Sequence, residues 1–184
     1  YGRSGSTTTI ELENILKELE QAYHVFLTGT GFGGIALALM SLCRPGDEIL
    51  VSDNVYGPTK EISEKLLKEF NINARFYDPE SFEDLKKKVT KKTKIILVEN
   101  PGSITFEFQD LSKIVNLAKK KKIYTLLDNT WGTPLYLQPL KLGFDISFSS
   151  ATKYFSGHSD AMGGSLAVNK KVFKQIMFFY KLSG

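Results

Sequence analysis

The chain has 184 residues, of which 42% are hydrophobic and 24% charged, and its formal net charge is +4. A chain of this length buries roughly 70% of its unfolded surface, so the composition excludes a disordered or collagen-like protein. The apolar runs are four to six residues long. Because a membrane-spanning helix needs ~20 apolar residues, a membrane protein is excluded as well.

Cysteine usage and charge restrict the compartment and the partners. The only cysteine, Cys43, excludes an internal disulfide, and no apolar signal segment opens the sequence, so we expect a cytoplasmic location. The lysine runs at 86–94 and 119–122 lack the arginine and interleaved aromatics that nucleic-acid binding uses. We interpret them as solvated helix ends and expect no nucleic-acid partner, no membrane partner and no metal ion.

The predicted elements alternate between helices and short strands. A capping-box pattern at Thr8 and apolar residues at helical spacing predict a first helix over 8–19. Strands are predicted at 25–27, 49–51, 74–77, 95–98, 124–127, 146–148 and 165–168, and further helices at 33–43, 58–70, 81–90 and 110–121.

This alternation predicts the fold class. Strands separated by helix-length segments need crossover connections, which favours an α/β fold with a doubly wound, mostly parallel sheet and helices on both faces. No repeat or linker divides residues 1–184, so we expect one domain. Ligands of such sheets bind beyond the carboxyl ends of the strands.

Glycines concentrate after the first predicted strand. Residues 29–34 satisfy the G-x-G-x-x-G pattern, and Asp53 ends the next strand nineteen residues later. Backbone N–H groups at a helix start bind any phosphate, so the pattern predicts a phosphate site without specifying a dinucleotide. A tight turn without a ligand is the alternative.

Two charged residues follow later strands. Asp128 comes directly after the run 124–127, where a buried carboxylate needs a cationic or donor partner. Lys153 follows 146–152, which we interpret as a strand ending in hydroxyls, and a desolvated lysine there can act as a nucleophilic amine. Taken singly, a capping aspartate and a surface salt bridge are the better explanations of these two residues. We interpret His158 as a hydrogen-bonded loop residue.

Together these features meet the needs of pyridoxal 5'-phosphate. This cofactor forms a Schiff base with a lysine, keeps its pyridine nitrogen protonated opposite a carboxylate, stacks on an aromatic ring and binds donors through its phosphate. Lys153, Asp128, Tyr56 and the glycines of 29–34 supply these groups.

Five motifs then give the chain a resemblance to the Cys/Met-metabolism family of pyridoxal-phosphate enzymes. They lie at 1–5, 30–34, 55–57, 127–131 and 150–158, and the last two are the most specific. The resemblance covers essentially the whole chain and implies the large domain of a fold-type I pyridoxal-phosphate enzyme.

The resemblance also implies roles for individual residues. Lys153 would be the Schiff-base lysine, Asp128 would face the pyridine nitrogen, and Tyr56 would stack on the ring and take part in proton transfer. The implied phosphate ligands are the backbone N–H groups of Gly31 and Phe32 and the hydroxyls of Ser150 and Thr152. Tyr1 and Arg3 would reach the phosphate of a neighbouring subunit's site, which implies a homo-oligomer, usually a tetramer built as a dimer of dimers.

Within the family, several places resemble the cystathionine β-lyase branch: the loop 100–107, Trp131, 159–162 and 56–58. Ser103 stands where sibling enzymes place an asparagine near the cofactor's 3'-oxygen. The implied reaction is α,β-elimination of the amino acid L-cystathionine to homocysteine, pyruvate and ammonia, in methionine biosynthesis. Cystathionine γ-synthase, cystathionine γ-lyase and methionine γ-lyase are the sibling alternatives.

Two further expectations follow from the resemblance. Family members are about twice as long and bind the substrate carboxylate with an arginine of their C-terminal domain, so we expect 1–184 to be the cofactor-binding domain of a longer protein. Neither Arg44, before a turn, nor Arg75, inside a predicted strand, suits that role.

Two other classes of protein stay open. A nicotinamide-dependent dehydrogenase would use 29–34 and Asp53, but it leaves Lys153 unexplained. A non-catalytic relative or a basic binding protein would have no need of Asp128 and Lys153 together.

Overall fold

The computed structural model describes residues 5–183, which form one seven-stranded sheet with helices on both faces. The strands are β1 (His24–Thr28), β2 (Glu48–Ser52), β3 (Asn73–Tyr77), β4 (Thr93–Glu99), β5 (Tyr124–Asp128), β6 (Ile146–Ser149) and β7 (Gly164–Val168). The helices are α1 (Thr7–Glu20), α2 (Gly31–Leu42), α3 (Gly57–Glu61), α4 (Leu67–Glu69), α5 (Phe82–Lys88), α6 (Leu111–Lys121), α7 (Thr133–Tyr136), α8 (Pro139–Leu142) and α9 (Lys170–Ser183).

The sheet is mixed but mostly parallel, which confirms the predicted fold class. Its strand order is β1-β7-β6-β5-β4-β2-β3. The five strands from β6 to β3 run parallel, whereas β7 is antiparallel to both of its neighbours, β6 and β1. The connection between β6 and β7 contains turns and no crossover helix, so the chain returns in the opposite direction.

The core lies on the two faces of this sheet. Along β4, Ile95 and Leu97 belong to the cluster beneath α2 and α9, while Ile96 and Val98 belong to the cluster beneath α5 and α6. Successive strand residues point to opposite faces, so a strand buried on both sides is apolar throughout. A small third cluster around Leu16 seats α1 on β1 and β7.

Helix ends and interiors differ in places from the sequence prediction. The cap of α1 is Ser6, not Thr8: the Ser6 hydroxyl accepts from the Thr9 backbone N–H at 3.2 Å, and the Thr9 hydroxyl accepts from the Ser6 N–H at 2.7 Å. The predicted helix over 58–70 contains a π-helical turn at Ile62–Leu66 between α3 and α4. Across residues 5–183 no helix has both the length and the apolar character needed to cross a membrane.

Candidate active site

A cavity of about 560 Å³ opens at the carboxyl edge of the parallel strands. This volume falls within the usual range for small-molecule sites. Seven of the predicted site residues line it: Gly31, Phe32, Tyr56, Asp128, Ser150, Thr152 and Lys153. Tyr1 and Arg3, the other two, lie outside the described residues.

The first turn of α2 forms one wall of the cavity. The Thr30 hydroxyl caps the helix by accepting from the Gly33 N–H at 2.9 Å, and the Gly34 N–H donates to the Thr30 carbonyl at 3.2 Å. Within the described chain, no hydrogen bond uses the N–H groups of Gly31 and Phe32. These two donors, at the positive end of a twelve-residue helix, suit an anion.

Close packing holds this turn in place. A Cβ at Gly31 would lie 3.0 Å from the Ser150 hydroxyl, so that hydroxyl sits beside the helix start. A Cβ at Gly164 would lie 2.7 Å from the Thr30 carbonyl oxygen and 3.1 Å from the Gly31 Cα. The helix start therefore rests directly on the backbone of β7, which only glycine permits.

Hydroxyl groups complete the same end of the cavity. The Thr152 hydroxyl accepts from the Gly163 N–H at 3.1 Å, and its only other hydrogen bond in the described chain is a 3.3 Å donation to the Gly163 carbonyl. Its proton can therefore turn to a ligand. The Ser150 backbone N–H donates to the Thr130 hydroxyl at 2.9 Å, which ties the segment after β6 to the segment after β5.

Asp128 ends β5 and is 6% exposed. Its Oδ1 accepts from the Thr130 backbone N–H at 3.0 Å and from the Thr130 hydroxyl at 2.6 Å, and no cation within residues 5–183 pairs with it. Burial raises the pKa of Asp128, and the bonds from Thr130 oppose the rise. A buried carboxylate without a cation provides a site for a protonated ring nitrogen.

Glu99 is a second buried carboxyl group that the sequence analysis missed. It ends β4, pairs in register with Asp128 and is 4% exposed. Its Oε2 accepts from the Tyr56 backbone N–H at 2.7 Å. Burial raises the pKa of Glu99, and the nearby Asp128 raises it further. The signal was available, since Glu99 follows an apolar run just as Asp128 does.

Lys153 lines the cavity but does not stand at the end of a strand. The expectation that a strand continues to Thr152 is wrong, because β6 ends at Ser149 and the Lys153 N–H closes a turn onto the Ser150 carbonyl at 3.0 Å. The Lys153 side chain is exposed rather than desolvated. The Lys153 amine is therefore accessible to a ligand in the cavity and is not buried in the sheet.

Aromatic rings surround the cavity mouth. Tyr56 precedes α3, lines the cavity and is 52% exposed, so its ring is accessible to a ligand. Trp131 packs edge-on against Phe106 with ring centroids 5.1 Å apart, and the ring of Tyr154 lies 6.2 Å from that of Trp131.

The dinucleotide alternative conflicts with the structure. Asp53 forms an ion pair with Lys60 at 2.7 Å, so its carboxylate is already engaged. The strand before the glycines, β1, is an antiparallel edge strand, whereas a dinucleotide fold places that strand within a parallel sheet. His158 contacts the Ser156 carbonyl through Nδ1 at 2.8 Å, as expected for a loop residue.

The arginines within the described chain are engaged elsewhere. Arg44 donates to the Ser41 and Cys43 carbonyls at 3.1 and 2.7 Å, and Arg75 pairs with Glu48 at 3.1 Å. Neither lines the cavity in this part of the protein. A substrate carboxylate would need a different partner.

The fold and the cavity define a class of protein: an α/β enzyme whose site combines an anion-binding helix start, a buried carboxylate and an accessible lysine. The Cys/Met metabolism PLP-dependent enzyme family matches residues 1–184. The chain belongs to this family, and its cofactor is pyridoxal phosphate.

The chain is similar to individual curated proteins and to solved structures. The chain is 38% identical over 169 residues to a cystathionine beta-lyase of Bordetella avium, covering 92% of this chain and 42% of that one. It is 33% identical over 184 residues to an L-alanine/L-glutamate racemase of Wolbachia pipientis, covering 100% of this chain and 45% of the relative. A solved structure from Campylobacter jejuni that contains N'-pyridoxyl-lysine-5'-monophosphate superimposes with a TM-score of 0.89 at 33% identity, covering 95% and 43% of the two chains. The chain thus spans about half the length of the curated relatives that it matches.

Proposed function

We propose that this protein is a carbon–sulfur lyase that cleaves L-cystathionine by α,β-elimination into homocysteine, pyruvate and ammonia. The observation that carries the proposal is the single cavity in which Lys153, Asp128, Tyr56 and the start of α2 meet. The relative from Bordetella avium supports the choice of reaction by its name. Residues 1–184 would form the cofactor-binding domain, with the substrate carboxylate held by a group other than Arg44 or Arg75.

Each end of the cavity has a proposed task. The N–H groups of Gly31 and Phe32 and the hydroxyls of Ser150 and Thr152 hold the phosphate. Asp128 holds the proton on the pyridine nitrogen, since a carboxylate buried without a cation stabilises a positive charge opposite it. When bound, pyridoxal phosphate supplies an electron sink that stabilises negative charge at the substrate Cα.

Lys153 has two tasks in the proposed mechanism. Its Nζ is the amine that would hold pyridoxal phosphate through the cofactor's aldehyde carbon until the substrate amine occupies that position. The free amine then removes the proton from the substrate Cα, and its exposed position on the cavity wall gives it that access. Tyr56 stacks on the ring and carries a proton during the elimination.

The proposal extends to assembly and location. The enzyme would act in the cytoplasm as a homotetramer, in which Tyr1 and Arg3 bind the phosphate of the neighbouring site. Motif 1–5 supports this assembly through the family resemblance, and the lone buried thiol of Cys43 suits a reducing compartment.

Absorption and labelling test the cofactor chemistry. The purified full-length protein should be yellow, and borohydride should fix the colour to the peptide that contains Lys153. Lys153→Ala should remove both the fixation and the activity. A colourless wild-type protein, or fixation at another lysine, would overturn the proposal.

Product analysis tests the reaction. Pyruvate released from cystathionine supports the proposed elimination, whereas 2-oxobutyrate would assign a γ-type sibling reaction. Racemisation is a second candidate, because Lys153 and Tyr56 lie on different elements around one cavity and the Wolbachia relative is named a racemase. Conversion of L-alanine to D-alanine without pyruvate formation would select it.

A further inference from the structure

Glu99 connects the sheet to the segment that carries Tyr56. The Tyr56 backbone N–H donates to Glu99 Oε2 at 2.7 Å, and no other hydrogen bond within residues 5–183 uses that N–H. Tyr56 precedes a five-residue helix, α3, which has no side-chain cap of its own at this end. The position of the Tyr56 backbone at the cavity wall therefore depends on the Glu99 side chain.

The backbone of Glu99 is itself firmly held. Its N–H donates to the Ser52 hydroxyl on β2 at 3.2 Å, and the Gln109 side-chain amide donates to its carbonyl at 3.2 Å. On its other side, β4 pairs with β5 in the register that places Glu99 beside Asp128. A side chain on such a rigid base can fix the loop that it contacts.

The charges around Glu99 determine its protonation. Asp128 on β5 is the charged group that faces it, the Ser52 hydroxyl on β2 is neutral, and the Ser103 hydroxyl lies on the loop after β4. Lys153 lines the same cavity, but no ion pair within the described chain joins it to Glu99. Two adjacent buried carboxyl groups do not both ionise readily, so one of them keeps a proton.

The proton belongs on Glu99 rather than on Asp128. Asp128 accepts two hydrogen bonds from Thr130, which favour its charged form, whereas Glu99 accepts a single backbone N–H, that of Tyr56, which a neutral carboxyl oxygen can also accept. We propose that Glu99 is a positioning residue that holds Tyr56 over the cofactor ring through the Tyr56 backbone N–H, and that it acts as a neutral carboxyl group beside a charged Asp128. This inference rests on the proposed cofactor chemistry.

Substitutions at Glu99 separate hydrogen bonding from charge. In the full-length holoenzyme, Glu99→Gln keeps a neutral oxygen that accepts the Tyr56 N–H, while Glu99→Leu removes the acceptor. We expect Glu99→Gln to bind pyridoxal phosphate within about twofold of the wild type, with the same visible circular-dichroism band. Glu99→Leu should bind it at least tenfold more weakly and show an altered band, while borohydride still fixes the cofactor to Lys153. Glu64→Gln, at an exposed position of the π-helical turn Ile62–Leu66, is the matched control.

A double-mutant cycle tests whether Glu99 acts through Tyr56. The effect of Glu99→Leu on cofactor affinity should largely vanish in a Tyr56→Ala background, because the ring that it positions is gone. If Glu99→Leu does not fold, the comparison of Glu99→Gln with Glu99→Asp decides, since the shorter aspartate should lose the contact and weaken binding.

Three outcomes would overturn the inference. If Glu99→Gln binds pyridoxal phosphate as weakly as Glu99→Leu does, the charge of Glu99 is required. If Glu99→Leu binds the cofactor with wild-type affinity, no positioning by Glu99 is needed. If the two substitutions of the cycle have additive effects on affinity, Glu99 does not act through Tyr56. A colourless wild-type protein instead rejects the proposed function, so the two failures are distinguishable.

Discussion

Three buried carboxyl groups have no ion-pair partner within residues 5–183. Glu20, Glu99 and Asp128 are each less than a tenth exposed. Asp128 and Glu99 face the cavity, whereas Glu20 ends α1 against the outer strands and has a buried oxygen without a hydrogen-bond partner in the described chain. Burial of a carboxyl group away from a ligand weakens folding when the group is charged, so Glu20 makes stability depend on pH.

We predict that Glu20→Gln stabilises the protein at high pH. Burial raises the pKa of Glu20 from 4.5 to about 7. The folded state therefore holds a proton that the unfolded state releases, and the unfolding free energy falls as the pH rises from about 4.5 through 7. Glutamine removes this loss, so the variant should gain on the order of 2 kcal/mol at pH 8 and little at pH 4.5.

Denaturant unfolding at the two pH values measures this difference. Glu18→Gln, on the exposed side of α1, is the control and should change stability equally at both. An equal gain from Glu20→Gln at pH 4.5 and pH 8 would contradict a titrating Glu20.

Cys43 is expected to be chemically inert in the folded protein. Burial raises the pKa of its thiol to about 12, and Asp47 adds to the rise, while the thiol itself is 3% exposed. Only the thiolate reacts with disulfide reagents. The peptide containing Cys43 should stay unlabelled by such a reagent at pH 8 until denaturant is added, and rapid labelling of the native protein would refute the expectation.

The close approach of Gly164 in β7 to the first turn of α2 can be tested by its effect on cofactor affinity. Gly164→Ala would push a methyl group against Thr30 and Gly31, so the first turn of α2 must shift. We expect a loss of about 1–3 kcal/mol from overpacking and a roughly tenfold weaker affinity for pyridoxal phosphate.

Gly29→Ala provides the comparison, because its Cβ meets nothing within 4 Å. It should leave both quantities near the wild type when cofactor titration and thermal unfolding are compared. Equal behaviour of the two variants would mean that the close approach at Gly164 does not support the phosphate end.

The elements show which parts of this structure the sequence could predict. The helix and strand order followed from periodicity, since buried strands such as β4 are short continuous apolar runs between helix-length segments. The π-helical turn at Ile62–Leu66 could not be predicted from the sequence, because it changes the backbone hydrogen bonds but barely changes the spacing of apolar residues. The antiparallel direction of β7 depends on a connection whose turns have no clear periodic signal.

Some features of the candidate site could likewise be predicted from the sequence, and others could not. Gly31, Asp128 and Lys153 were predictable as candidates because each lies at or shortly after the end of an apolar run, and all three line one cavity. Their roles stay predictions. The position of Glu99 after an apolar run was visible in the sequence, but its pairing with Asp128 in the sheet, which gives it significance, was not. The exposure of Lys153 was wrongly anticipated because the end of β6 is set by contacts of Ser150 and Thr152.

At the scale of the whole molecule, the central strands should dominate stability. Leu126 lies in β5, fully buried in the cluster beneath α2 and α9. Leu126→Ala removes buried apolar surface and leaves a cavity, so we expect a loss of about 2–5 kcal/mol in unfolding free energy. Leu182→Ala, at a position 70% exposed on α9, should change it by less than about 0.5 kcal/mol. Comparable losses from both variants in chemical denaturation would contradict this distribution of the core.

The strand order also implies a delay between the synthesis of β1 and that of the strand with which it pairs. Of the seven strands within residues 5–183, β1 is synthesised first, yet its hydrogen-bonding partner β7 is synthesised last. At translation speeds of about 5–20 residues per second, the roughly 140 intervening residues take about seven to thirty seconds. Throughout that interval Val25 and Phe26, which are fully enclosed in the finished protein, have no strand to pair with. The nascent chain thus exposes a hydrophobic, aggregation-prone strand early, and molecular chaperones that bind this strand would favour correct assembly of the sheet.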